Sequence, residues 1–211
     1  MKNILEALNW RYATKKFDSN KKITSENLEI LLEALRLSPS SYGLQPWKFI
    51  IVNNKEMREK IQEVAYGQSQ ITEASHIIIF ANKKNIDDNL IDEYLQFIAK
   101  EKNVDVSVLD GFGKMMKGSF VGKSIENLRS WATSQVYLAV GNLLTSSAVS
   151  SIDACPMEGF DNSKLDQLLG FPALNLESKV IVALGYRSQD DSEIPSKKIR
   201  FPKEEVFIEI N

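Results

Sequence analysis

Apolar residues recur along this chain with two periods, and the switches between them mark its elements. Ile4, Leu5, Leu8 and Tyr12 fall at helical spacing and predict a first helix over 3–12. Leu28, Leu31, Leu32 and Leu35 repeat the i, i+3, i+4, i+7 rhythm of a second helix over 25–37. Thr24 is placed to cap it, Glu26 suits its first turn, and Pro39 marks its end. WKFIIVN at 47–53 has the length and β-branching of a buried strand, and KEMREKIQEVA after it reads as a helix. HIIIFAN at 76–82 is a second buried strand. Residues 86–100 are amphipathic and helical. Over 105–120, glycines at 111, 113 and 118 mixed with Met, Phe and Lys read as a mobile helix or lid. Residues 124–149 form a long helix apolar on most faces, which implies burial in a core or subunit interface. A short strand (IDACP), a helix over 161–169 and a strand (KVIVALGY) follow.

No internal repeat or linker divides the sequence, so 1–211 is read as a single domain. Helices outnumber strands without regular alternation, which argues against a plain doubly wound sheet and for an α+β fold, a three-layer α-β-α sandwich. The tail over 188–211 is a polar arm ending in FIEI, whose alternation suits a strand. A lone strand needs an edge to pair with. Either the arm folds back on its own sheet, or it adds a strand to the sheet of a partner subunit.

Charge and composition narrow the chemistry. With 26 basic against 28 acidic side chains the formal charge is −2, unlike a general nucleic-acid binder. One histidine, His76, and one cysteine, Cys155, leave no His/Cys zinc set and no disulfide framework. No metal is expected. Cys155 has no base beside it and reads as a buried structural thiol. The start lacks a secretory apolar region, and no apolar run approaches the ~20 residues of a membrane helix, so a cytoplasmic protein without membrane partners is expected. Such histidine-poor chemistry points to a bound organic cofactor, or to no chemistry at all.

Several motifs bear on that cofactor. GSFVGKS at 118–124 is one residue too short for a phosphate-binding P-loop and follows no strand. No G-x-G-x-x-G follows a strand, so a nicotinamide nucleotide has no dinucleotide domain of its own. Two basic pairs are more promising: Arg11 and Lys15 in RYATKKFD, and Lys198 and Arg200 in KKIRFP, two apart on one face of an extended segment. Either pair alone is ordinary solvated charge. Together they could cradle a phosphate monoester, at ~1.5–3 kcal/mol per charge-assisted bond. SPSSYGLQPW at 38–47 is a stiff polar loop, and the turn in CPMEGF at 155–160 can present main-chain N–H groups to a planar ligand.

In order and spacing these pieces, with EASH before a strand and WATSQVYLAVGNLL in the long helix, resemble the FMN-dependent nitroreductase family, in its oxygen-insensitive NAD(P)H nitroreductase and dihydropteridine reductase branch. The resemblance implies tightly bound FMN at the interface of a homodimer, with NADH or NADPH as electron donor. By the same resemblance, Arg11, Lys15, Lys198 and Arg200 hold the phosphate and ribityl chain. Tyr12 and Ala13 line them, although Ala13 lacks the hydroxyl common at that position. Ser40 and Ser41 come from the partner subunit. Gln68 or Gln70 faces the pyrimidine edge. Pro156, Met157, Glu158 and Gly159 line the other face of the ring, with the Glu158 main-chain N–H near N5, where it would favour the reduced ring without a titrating group. Phe112, Met116 and Phe120 would overhang the acceptor pocket. The implied activity is ping-pong, two-electron reduction of nitroaromatics, quinones or pteridines. The alternatives are a non-catalytic flavin-binding protein, or dehalogenation or azo reduction on the same scaffold.

Overall fold

The computed structural model describes residues 2–192 and 197–210. Four strands, β1 (Trp47–Val52), β2 (His76–Lys83), β3 (Asp153–Met157) and β4 (Leu176–Gly185), form one antiparallel sheet in the order β1-β2-β4-β3. Helices cover both faces. The long helix α7 (Ile125–Val149) and α2 (Ser25–Arg36) lie on one side, and α3 (Lys55–Val64), α4 (Gln70–Glu73) and α8 (Asn162–Leu168) on the other. Helix α1 (Ile4–Trp10) packs on α7, and α5 (Asp88–Lys102) with α6 (Asp110–Phe120) forms a separate pair. A last short helix, α9 (Lys203–Val206), lies in the tail.

Burial on both faces explains why the inner strands read as unbroken apolar runs. Ile77, Ile79 and Ala81 of β2 face Ile61 of α3 and Ile71 of α4, while Ile78 and Phe80 face Leu31 of α2 and Val136 and Leu143 of α7. Each of these side chains is fully buried. At ~1.5–3 kcal/mol per buried large apolar side chain, this two-sided core is the main support of the fold. The α+β sandwich expected from the sequence is therefore the fold observed.

Two local expectations are corrected, and two further segments gain detail. The first helix stops at Trp10, because Arg11 turns extended and Ala13 pairs with Ala154 along the outer edge of β3. Arg11 and Lys15 thus lie on an extended segment rather than across a helix end. GQSQITEASH contains α4, too short to show periodicity. The glycine-bearing 105–120 segment is a 3-10 turn (Val106–Leu109) followed by the regular helix α6. Residues 207–210 make no strand with the chain's own sheet, which overturns the fold-back alternative; they follow α9 with Phe207, Ile208 and Ile210 exposed. The part of the arm over 193–196 lies outside the described residues.

Candidate active site

The two basic pairs come from opposite ends of the chain, and three of their four cations meet. Arg11, Tyr12 and Ala13 line a cleft of about 340 Å³ together with Lys197, Lys198, Ile199 and Arg200. Lys198 Nζ donates to the carbonyl oxygen of Leu8 at 2.5 Å and to that of Arg11, capping the open carbonyls at the C-terminus of α1. Burial lowers the pKa of Arg11, and Arg200 lowers it further; Lys198 is lowered by burial and then by Arg11 and Arg200. No carboxylate among the described residues forms an ion pair with any of the three. The Arg11 Nε is buried and has no hydrogen-bond partner. Mutually repelling cations and an unpartnered buried N–H make a site that a phosphate dianion would satisfy on both counts.

A carboxylate network that the sequence reading missed holds this cradle. Asp191, 5% exposed, accepts the Tyr12 hydroxyl at 2.7 Å and the main-chain N–H groups of Lys15 and Lys16 at 3.1 and 3.3 Å. Tyr12 is thus turned to Asp191, and burial with this bond raises its pKa well above the usual tyrosine range. Lys15 itself is exposed. Beside it, buried Asp153 receives Arg187 through Nε at 2.8 Å, Nη2 at 2.5 Å and the main-chain N–H at 2.9 Å. The Arg187 guanidinium lies 4.3 Å from the Trp10 ring centre and 4.5 Å from that of Tyr12. These partners are far apart in sequence and carry no local motif, so spacing alone had nothing to detect.

The turn in CPMEGF begins where β3 ends. Pro156 pairs with Val182 and Met157 with Ile181 on an edge strand, where a missing N–H is tolerated. Glu158 and Gly159 lie beyond it, exposed, while Phe160 returns to the core. Gln68 Nε2 donates to the Gly159 carbonyl at 2.6 Å and to that of Ala65 at 3.1 Å. Tyr137 of α7 donates its hydroxyl proton to Glu158 Oε1. Gln70 is 7% exposed within α4, so of the two glutamines Gln68 reaches this loop. Buried Arg58, another residue the sequence reading missed, donates to the carbonyls of Ile71, Ala74 and Ser75 at 2.6, 2.6 and 3.3 Å, pinning the segment that carries Gln68. Cys155 is fully buried, and burial pushes its thiol pKa up.

The polar loop over 38–47 folds as a tight turn. Ser40 Oγ accepts from the main-chain N–H of Gln45 at 3.0 Å, and the N–H of Ser41 donates to Gln135 Oε1 of α7 at 2.8 Å. Gly43 has φ of +70°, and a Cβ there would lie 2.4 Å from the Tyr94 hydroxyl oxygen, so glycine is required. Neither serine lines the basic cleft of its own chain. Nor do the three pocket candidates of α6 form an open wall. Met116 is fully buried and Phe120 is 8% exposed, packing with half-buried Phe112 among α5 and α7 residues; Phe120 stacks edge-on to Tyr42 and Trp131. The overhanging role expected of Met116 is corrected accordingly: its side chain faces the α5–α6–α7 core.

The fold is an antiparallel sheet between helical layers, with a cationic cleft lined by both ends of the described chain. Residues 8–186 match the model of the nitroreductase family. A Staphylococcus haemolyticus protein bearing the name "Putative NAD(P)H nitroreductase" is 36% identical over 97% of this chain and 95% of its own length. A Bacillus subtilis protein with the same designation, YfkO, is 37% identical over 96% and 95%. Among solved structures, a "putative nitroreductase in complex with FMN" from Exiguobacterium sibiricum shares the fold with a TM-score of 0.83 at 19% identity, covering 100% of this chain and 98% of that one. The chain belongs to the nitroreductase family, a family of flavin oxidoreductases. Among the described residues no group of side chains suits a metal ion, and no helix is long and apolar enough to cross a membrane.

Proposed function

We propose that this protein is an FMN-dependent NAD(P)H oxidoreductase that acts as a homodimer and reduces nitroaromatics, quinones or pteridines by two-electron, ping-pong turnover. The observation that carries the reading is the convergence of Arg11, Lys198 and Arg200, without a carboxylate partner among the described residues, on one cleft. FMN would supply the redox chemistry, taking a hydride from the nicotinamide and passing two electrons to the acceptor. The three cations hold its phosphate, Lys15 reaches from the same segment, and the main chain at Tyr12 and Ala13 lines the chain between them. Pro156 and Gly159, with only the main chain of Met157, whose side chain is buried in the core, shape the surface against the ring, and the Glu158 N–H is the donor aimed at it. Gln68 has its Nε2 spent on Gly159 and Ala65, which leaves its side-chain oxygen as the group to accept from the ring.

Several exposed apolar groups support the dimer. Ile4 and Leu5 of α1 and Leu138 of α7 are about half exposed or more, at 49%, 68% and 52%. Such side chains on a packed helix pair need a cover. The outer edge of β1 has no strand partner among the described residues, and the apolar 207–210 segment is free to pair with such an edge. Ser40 and Ser41 of the partner subunit would complete the flavin site.

The test is optical. The purified protein should be yellow, release FMN on denaturation, and bleach on anaerobic addition of NADH or NADPH. Protein that binds FMN yet does not bleach with either nucleotide is a flavin carrier without turnover. Protein that neither carries nor takes up FMN overturns the reading altogether.

A further inference from the structure

One contact at the strand-end loop is not needed for binding a flavin phosphate, yet ties the loop after β3 to α7. Tyr137 lies on the exposed side of α7, and Glu158 is the first residue past β3; the tyrosine hydroxyl donates to the glutamate carboxylate. Partial burial, and then the bond to Glu158, push the Tyr137 pKa up to about 12, so the hydroxyl keeps its proton and stays a donor at neutral pH. The loop is held from the other side by Gln68, which grips the Gly159 main chain at 2.6 Å. The two anchors therefore do different work. Gln68 fixes the backbone of the loop, and Tyr137 fixes one charged side chain.

That side chain matters because of where its own main chain points. The following rests on the flavin reading above, in which the Glu158 N–H faces the ring. The carboxylate is then never farther from the ring than one glutamate side chain allows. Reduction adds negative charge to the ring, and a nearby free carboxylate opposes it. A donor that holds the carboxylate in one direction and shares its charge weakens that opposition. We propose that Tyr137 is a positioning residue that restrains the Glu158 carboxylate and thereby makes the bound flavin easier to reduce.

The experiment measures the midpoint potential of bound FMN in the wild type, Tyr137→Phe, Glu158→Gln and the double variant, together with FMN affinity and melting temperature. Tyr137→Phe is expected to shift the potential to a more negative value and to slow reduction by NADH or NADPH severalfold at saturating nucleotide. In Tyr137→Phe, FMN affinity should stay within about twofold, since this side chain does not line the basic cleft. In the Glu158→Gln background the same tyrosine change should leave the potential unmoved, because no charge remains to restrain. An unchanged potential in Tyr137→Phe overturns the proposal. So does a shift of equal size in the Glu158→Gln background, which would mark Tyr137 as a general support of α7. Wild-type protein that holds no FMN overturns the flavin reading instead, and this is seen before any variant is made.

Discussion

The Tyr12 hydroxyl lies 2.7 Å from Asp191 Oδ2, joining residues 179 positions apart. The same oxygen accepts from the backbone of Lys15 and Lys16. One buried carboxylate thus fixes the extended segment after α1 against the start of the C-terminal arm, and the cations on both sides of this joint are the ones that meet in the cleft.

Asp191→Ala should loosen both sides of the joint at once. Bonds to a buried charged group are worth ~1.5–3 kcal/mol, and unfolding of a chain this size moves by about 2–4 °C per kcal/mol. A melting temperature lower by roughly 3–10 °C is expected. FMN affinity should fall as well, since Arg11 loses its fixed mount. Thermal melts with and without FMN check both.

Arg11→Ala should discriminate between flavins. Its loss removes a charge-assisted contact to phosphate, a weakening of roughly ten- to hundredfold for FMN. Riboflavin, which lacks the phosphate, should bind wild type and variant alike. Equal losses for both flavins would place the phosphate elsewhere.

Two tyrosines set an alkaline limit. The folded-state pKa of Tyr12 is raised, and that of Tyr137 is raised to about 12, above an unfolded value of 10. A raised folded pKa gives stability that is whole below pH 10, where both states hold the proton. That stability is lost as pH climbs from 10 through the folded value, because the unfolded chain then releases protons the folded chain retains. Urea unfolding at pH 9, 10 and 11 should show a decline, and Tyr12→Phe should flatten it.

Leu138→Asp tests the proposed subunit seam. The residue is 52% exposed on α7 and touches neither the sheet nor the α5–α6 pair. The single chain should fold as before, whereas sedimentation should show a shift from dimer to monomer accompanied by loss of FMN. A variant that stays dimeric would move the seam off this face.

Arg58→Lys should be costly although the charge is kept. The guanidinium fork serves three carbonyls from one buried position, and a single ammonium cannot reproduce its plane. A destabilisation of about 2–4 kcal/mol is expected in denaturant melts. Looser seating of Gln68 should follow from it.

The sheet and its covering helices were legible because each is written locally: Leu28 to Leu35 carry a helix period, and the run Ile77 to Ala81 has the length and branching of a strand buried on both sides. The Thr24 cap was visible for the same reason, and it does accept from the Asn27 N–H. The end of α1 was not legible, because Ala13 leaves the helix for a pairing with Ala154 that no nearby residue announces. Asp191, Asp153 with Arg187, and Arg58 escaped on similar grounds. Each satisfies groups brought close only by the completed fold, and an isolated Asp or Arg in sequence looks the same whether it is solvated or buried. The basic pairs stood out because four cations in two short motifs form a pattern in themselves.

The contact of Lys198 with the carbonyls of Leu8 and Arg11 spans almost the entire length of the polypeptide. During synthesis on the ribosome Arg11 is made long before Lys198 and Arg200, so the cleft they line together stays incomplete until the arm has emerged. If the cleft holds FMN as proposed, a fragment ending before Lys197 lacks two of its three cations and should retain the flavin poorly.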